Sequence, residues 1–248
     1  ALPISSLKGT LRGACPDAQR VAIFGPETSK GEELHVGAAN FADQRLLLLP
    51  IRSLAGTFAW VTSPYVLRRF ARDAGMAGLK ELPGNIDNPA DKQICLVTDT
   101  PQLCLNEDAV YLEDLDLTAT RNAAATAWAD WLAAQIFVDD YGWQQMLKQR
   151  FCVVHDDLLS FLLTTATEVT ARIKLEEQSK TVKKGGLWYE EALPSETVLA
   201  GPVMIGKTSL ADGEIVRVIA TCVEQPLQLG GKATVGRGLC RVTLTKGA

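Results

Sequence analysis

Leu229-Gly230-Gly231-Lys232-Ala233-Thr234-Val235-Gly236-Arg237-Gly238-Leu239 mixes four glycines with two cations. Glycine lets a backbone reach positive φ and approach a ligand closely. Exposed amides beside Lys232 and Arg237 suit a phosphate. The spacing is not that of a P-loop, because G-x-x-x-x-G-K-[ST] needs a lysine after Gly236 and Arg237 stands there. Nor is it a dinucleotide fingerprint, whose glycines join a strand to a helix. Here residues 239–244 read as a strand. A glycine hairpin that only packs tightly fits the same spacing.

Working outward, residues 212–223 form an amphipathic helix pattern. Residues 168–175 alternate with period two, as a strand does. Residues 179–186 are basic and turn-forming, and residues 188–193 are extended again. The whole of 168–193 therefore reads as a long hairpin with a basic tip. Upstream, residues 123–138 give the strongest helical pattern, with Trp128, Trp131, Leu132 and Ile136 on one face. Residues 151–154 are a short buried strand, after which Asp156 or Asp157 caps a helix running through Leu163. Residues 94–97 and 110–112 are short strands, and 80–92 are a loop.

Ser63 and Pro64 give an N-cap and a first-turn proline for a helix that ends at Gly75. Residues 57–62 and 40–49 read as strands. Leu46-Leu47-Leu48-Leu49 is apolar but stops at Pro50, far short of the roughly 20 residues a membrane span needs. Residues 24–27 are a turn and 28–39 a loop. Ser5 or Ser6 caps a helix over residues 5–14. Helices and strands interleave irregularly, which predicts an α+β fold and not a doubly wound parallel sheet.

The chain has 248 residues and 47% hydrophobic residues, enough for a substantial core in one domain spanning 1–248. Six cysteines (Cys15, Cys95, Cys104, Cys152, Cys222, Cys240) make no C-x-x-C pair, which argues against zinc and for reduced thiols in a cytoplasmic protein. The formal net charge of −4 counts against a general nucleic-acid binder. A chain of this charge holds RNA by concentrating its cations locally or by sitting in a larger assembly. The sequence opens without methionine or a signal-peptide pattern, and reads as a chain entered part-way through.

Candidate site residues fall in four segments. Ser6, Lys8 and Arg12 lie on the first helix, whose N-terminal amides attract phosphate; an ordinary capped helix fits equally. Arg52 follows the leucine strand. Lys183 and Lys184 precede Trp188 and Tyr189, and cations beside aromatics suit single-stranded RNA. Glu190 and Glu191 are adjacent on a strand, so they face opposite ways and cannot form one carboxylate pair. Gly231, Lys232 and Arg237 complete the set. His35 and His155 are the only histidines and join no nucleophilic triad.

Together these segments resemble the RAMP superfamily, the repeat-associated CRISPR proteins. Residues 227–239 resemble its C-terminal glycine-rich signature. Ser5-Ser6-Leu7-Lys8-Gly9-Thr10-Leu11-Arg12 resembles its early G-S-S-L-K-G motif, with Ile4 in place of the first glycine. Residues 45–53, Phe58-Ala59-Trp60-Val61-Thr62 and 186–194 resemble the backbone subunits of type III-B (Cmr) effectors. The resemblance implies a modified ferredoxin-like (RRM-like) core with insertions, stacked in copies along a guide RNA beside other complex subunits. It implies that 168–193 is a thumb hairpin wedged into the guide–target duplex, and that complementary target RNA is cut at regular intervals with a divalent metal, Mg2+. It places Lys8, Arg12 and Arg52 at the guide backbone, the glycine-rich loop at the RNA face, and Glu190 and Tyr189 as auxiliary residues near the cut. It puts the slicing aspartate and the first strand upstream of Ser5, so no catalytic aspartate is named. A non-cleaving scaffold, or the equivalent subunit of a type III-A effector, is the alternative.

Overall fold

The structure, a computed structural model, describes residues 4–26, 35–176, 178–208, 210–245 and 247. Most of the loop expected at 28–39 lies outside them. The N-terminal elements are helices α1 (Ile4–Ala14) and α2 (Asp17–Phe24), strands β1 (Ala39–Phe41), β2 (Arg45–Arg52) and β3 (Phe58–Thr62), and helix α3 (Pro64–Met76). Strands β4 (Ile94–Val97), β5 (Ala109–Leu112) and β6 (Leu115–Arg121) follow, then helices α4 (Ala123–Ile136) and α5 (Tyr141–Arg150). Next come β7 (Phe151–Val153), α6 (Asp156–Thr165), β8 (Glu168–Leu175) and β9 (Val182–Ala192). The chain finishes with β10 (Val198–Ala200), β11 (Val203–Ile205), α7 (Asp212–Cys222), β12 (Leu227–Gln228) and β13 (Leu239–Cys240). The fold is α+β.

Two compact units are present. One, the sheet unit, comprises Leu47–Arg68 and Pro83–Val198. Its mixed sheet runs β10-β2-β3-β7-β4-β6-β5. The centre is apolar on both faces: Trp60, Val61, Phe151, Cys152 and Val153 are fully buried. Strands covered on both sides read as continuous apolar runs, which is why residues 46–51 and 151–154 look as they do. Trp60 anchors an aromatic cluster with Phe58, Phe137 and Trp143, at centroid distances of 4.7, 6.0 and 6.2 Å. Its indole N–H donates to the Glu196 carbonyl at 3.0 Å.

The sheet also meets itself. Beyond β2, Ser53 bridges antiparallel to Leu112 on β5. The Leu54 N–H donates to the Tyr111 carbonyl at 3.3 Å, and the Glu113 N–H to the Arg52 carbonyl at 2.9 Å.

Several sequence expectations need correction. The single strand at 40–49 is two strands, because Phe41 pairs with Val203 while Leu49 pairs with Val61. The last strand covers only Leu239–Cys240, the two residues that find partners on β12. The cap of α6 is His155 and not an aspartate: its Nδ1 accepts from the Asp157 N–H at 3.1 Å.

Asp156 instead tethers the start of α3. Its carboxylate accepts from the Tyr65 N–H at 2.8 Å and from Asn88 Nδ2 at 2.9 Å. Burial pushes this carboxyl up, but the hydrogen bonds from Tyr65, Ser63 and Asn88 outweigh it and hold it below its ordinary 3.8. A lowered folded value means the charged form is favoured in the fold. The stabilisation is therefore present above 3.8 and lost as pH falls through the folded value. Asp156→Asn is expected to lose stability against wild type at pH 7, and the gap should shrink as the pH falls below 3.8. Urea midpoints at both pH values check this; a gap of equal size at both would refute it.

The second, terminal unit comprises the described parts of Ala1–Leu46, Arg69–Leu82 and Leu199–Ala248. Leu7 and Leu11 on α1 and Cys15 just past its end pack with Ile23 and Phe24 on α2, Phe41 on β1, Ile215, Ile219 and Cys222 on α7, and Leu227 on β12. The spacing of four residues puts Leu7 and Leu11 on one face of α1. Burial, then the neighbouring Cys222, pushes the Cys15 thiol up to about 11, so it stays protonated.

Candidate nucleic-acid interface

Strands β8 and β9 form a two-stranded ribbon, paired from Glu168↔Ala192 to Ile173↔Leu187. Directly opposed residues share a face. One face therefore carries Thr170, Arg172, Trp188 and Glu190. The other carries Val169, Ala171, Ile173, Leu187 and Tyr189. Its apolar members Val169, Ile173 and Leu187 are exposed, and Tyr189 is 70% exposed. Trp188 on the polar face is 44% exposed. A soluble sheet normally turns such a face onto a core; here it faces outward, as a binding surface does.

On the polar face, Glu190 accepts from the Trp188 indole N–H at 3.1 Å and lies 3.4 Å from Arg172 Nε. Glu191 on the opposite face accepts from Thr167 Oγ1 at 2.7 Å. Glu190 and Tyr189, paired in the sequence reading, thus point to opposite sides of the ribbon. Arg172 is the member of this group that the sequence reading missed. Its signal was the register, since it sits directly across from Trp188.

The basic tip is displaced. Lys183 and Lys184 lie within β9, and the hairpin closes before them, where the Glu176 N–H donates to the Thr181 carbonyl at 2.9 Å. Lys183 Nζ lies 3.9 Å from Glu176. The register shifts between Ile173 and Leu175. Gly186 makes this possible, because a Cβ there would sit 2.7 Å from the Lys183 carbonyl and 2.9 Å from that of Lys174.

In the terminal unit, the glycine-rich run is a loop closed by its own backbone. The Leu229 N–H donates to the Gly238 carbonyl at 2.8 Å, and Gln228 Nε2 to the Arg237 carbonyl at 2.6 Å. The Arg237 N–H returns to the Lys232 carbonyl at 3.2 Å. A Cβ added at Gly230, Gly231 or Gly236 would meet no atom within 4 Å. Residues 230–236 are exposed. Tight packing therefore explains Gly238 but not these three, which leave an open backbone between Lys232 and Arg237.

The Ser-Ser-Leu-Lys-Gly motif is the body of α1. Leu7 and Leu11 share a core with Leu227, against which Leu229 also packs. One core thus anchors both the early motif and the base of the glycine-rich loop. Ser6 is in the first turn, and its carbonyl accepts from Thr10 Oγ1 at 3.0 Å. Lys8 is half-buried. Arg12 lies in the last turn, away from the N-terminal amides, and donates to the Gly25 carbonyl. In the sheet unit, Arg52 grips Glu113 through Nε at 3.1 Å and Nη2 at 2.7 Å. The Glu113 contact holds the Arg52 guanidinium above its ordinary value. Among the described residues, no three His, Cys, Asp or Glu side chains gather to hold a metal ion. No helix among them is long and apolar enough to cross a membrane.

The RAMP superfamily model matches residues 1–241. The CRISPR system Cmr endoribonuclease Cmr4 of Pyrococcus furiosus is 33% identical over 252 residues, covering 96% of this chain and 81% of that protein. Oligomeric Cmr4 from Pyrococcus furiosus superposes with a TM-score of 0.73 at 25% identity, over 98% of this chain and 86% of that one. A chain of the type III-B Cmr-beta complex bound to cognate target RNA superposes at 0.68 and 19% identity, over 98% and 83%, which shows the same fold. The chain belongs to the RAMP superfamily.

Proposed function

We propose that this chain is the guide-RNA-binding backbone subunit of a type III-B CRISPR ribonucleoprotein that binds complementary target RNA and cuts it at regular intervals in antiviral defence. The observation that carries the reading is the outward ribbon of β8 and β9, with aromatic and aliphatic side chains exposed on it. Residues 168–193 act as the thumb, offering Tyr189, Leu187 and Ile173 to unstacked bases on one face and Trp188 on the other. Ser6, Lys8, Arg12, Gly231, Lys232 and Arg237 serve the guide backbone in the terminal unit. Arg52, Lys183 and Lys184 serve it in the sheet unit.

The named relative is an endoribonuclease, which supports cleavage. A divalent ion, Mg2+, accompanies it in this reading, and no step is routed through that ion because no described trio of side chains fits it. Glu190 and Tyr189 stay in auxiliary positions near the cut. Arg172 and Trp188 engage the Glu190 carboxylate, so Glu190 ties the two strands of the ribbon together. This pinning favours a second reading, a scaffold that binds without cutting. Neighbouring copies and other subunits supply the cations that a chain of net charge −4 lacks. Free thiols at all six cysteines suit a cytoplasmic setting.

Assembled complex incubated with end-labelled complementary RNA and Mg2+ is expected to give products at regular spacing. Tight binding with intact target would leave the scaffold reading standing and remove the nuclease.

A further inference from the structure

Arg150 ends α5, at the point where the chain enters β7. Its guanidinium carbon lies over the Phe58 ring, 5.3 Å from the centroid, so the ring serves the group as an aromatic platform. Its Nε is buried and has no hydrogen-bond partner. On its other side is Gly56, at φ 72°, where an added Cβ would lie 3.5 Å from that Nε. The guanidinium forms no ion pair or hydrogen bond with any described residue. Arg121 is exposed to solvent, and the other three arginines of the sheet unit have partners. Arg52 is matched by Glu113, Arg172 by Glu190, and Arg68 donates to the Pro64 carbonyl. A partly desolvated guanidinium without an acceptor is costly. Placement at a helix C-terminus relieves some of that cost but fills none of its five donors.

We propose that Arg150 binds an RNA phosphodiester, with Phe58 and the turn at residues 53–57 holding its fork in place. This rests on the reading that the chain holds RNA. A stacked guanidinium keeps its outer edge free for two parallel hydrogen bonds to phosphate oxygens. The turn Ser53-Leu54-Ala55-Gly56-Thr57 carries no charged side chain, so it neither repels nor neutralises an approaching phosphate. A carboxylate from a second copy of the chain has similar fork geometry, and the test separates the two.

The test uses the full chain and a fluorescent single-stranded uridine oligonucleotide, titrated between about 50 and 200 mM salt. Arg150→Gln is expected to weaken binding about tenfold and to reduce the salt slope by about 0.7, the value for one phosphate contact on a single strand. Arg72→Gln, which removes a charge paired with its neighbour Asp73, should keep the wild-type slope. Arg150→Lys keeps the charge and loses the fork, so its slope should hold while its affinity falls several-fold. If Arg150→Gln unfolds, Arg150→Lys decides, and wild-type affinity in it overturns the assignment. A folded Arg150→Gln with wild-type slope and affinity overturns it as well. Lost self-association with an unchanged RNA slope would assign the fork to a carboxylate of a second copy and also overturn it. Wild-type binding without any salt dependence removes the RNA reading itself and the inference with it, whereas a normal wild-type slope that Arg150→Gln retains removes only the inference.

Discussion

Trp60→Ala is expected to lower the free energy of unfolding by about 3–5 kcal/mol, the range for a buried aromatic truncated to alanine. Trp60 is 0% exposed on β3, near the middle of the sheet. Three aromatic rings surround it within 6.2 Å. Their rigid shapes cannot close over the hole, so the cavity contribution adds to the lost burial. The indole N–H has a second task, because it donates to the Glu196 carbonyl at 3.0 Å and ties down the segment after β9. Trp60→Phe separates the two effects. It keeps most of the ring area and loses that hydrogen bond, for about 1–2 kcal/mol. Urea denaturation followed by circular dichroism reads both. A loss below about 1 kcal/mol in Trp60→Ala would mean that the cluster is not the keystone of the sheet unit.

The second large effect is at Gly238. Its φ is 82°, a region that costs an L-residue roughly 1–2 kcal/mol. An added Cβ would stand 2.0 Å from the Leu229 carbonyl oxygen and 2.9 Å from Gln228 Nε2. Neither neighbour can step aside cheaply. Leu229 is bonded back to the Gly238 carbonyl at 2.8 Å, and Gln228 to that of Arg237 at 2.6 Å. Gly238→Ala is expected to break this closure and to cost about 3 kcal/mol, combining backbone strain with about one lost hydrogen bond. Gly231→Ala, in the same loop but with open space around its Cβ, should stay within about 0.5 kcal/mol of wild type. Melting curves of the two variants side by side check the contrast, and equal losses would show that the loop's closure contributes nothing. RNA affinity should follow the same order if the loop lies against the guide.

What was legible in the sequence was whatever depended on near neighbours. Period-two alternation announced β8 and β9, and helical spacing announced α4 and α7. Other features depended on distant partners. Nothing local divides β1 from β2; the break comes from Phe41 and Leu49 pairing in different sheets. Helices α2 and α5 went unread. Helix α5 is short and carries Gly142, two aromatics and several polar residues, so its helical pattern is weak and its order comes from the Asp140 cap and the packing of Trp143. Strand β6 alternates plainly, yet its short connection to β5 hid it. At the interface, the family signatures pointed to segments but not to side-chain partners. Arg52 and Glu113 are 61 residues apart in the chain, and Arg150 reaches Phe58 across a still longer stretch. No spacing rule encodes such pairs.

The meeting of the sheet with itself has a consequence for aggregation. An uncovered outer strand offers a row of backbone donors and acceptors to the next molecule, and this is a common route to runaway aggregation. At the end of β5, the Tyr111 carbonyl and, one residue past the strand, the Glu113 N–H are already bonded to Leu54 and Arg52. A molecule arriving at this end of the strand finds those two groups taken, so what it meets there is side chains, whose shape and charge fix one register, and not a main-chain ladder, which would accept any.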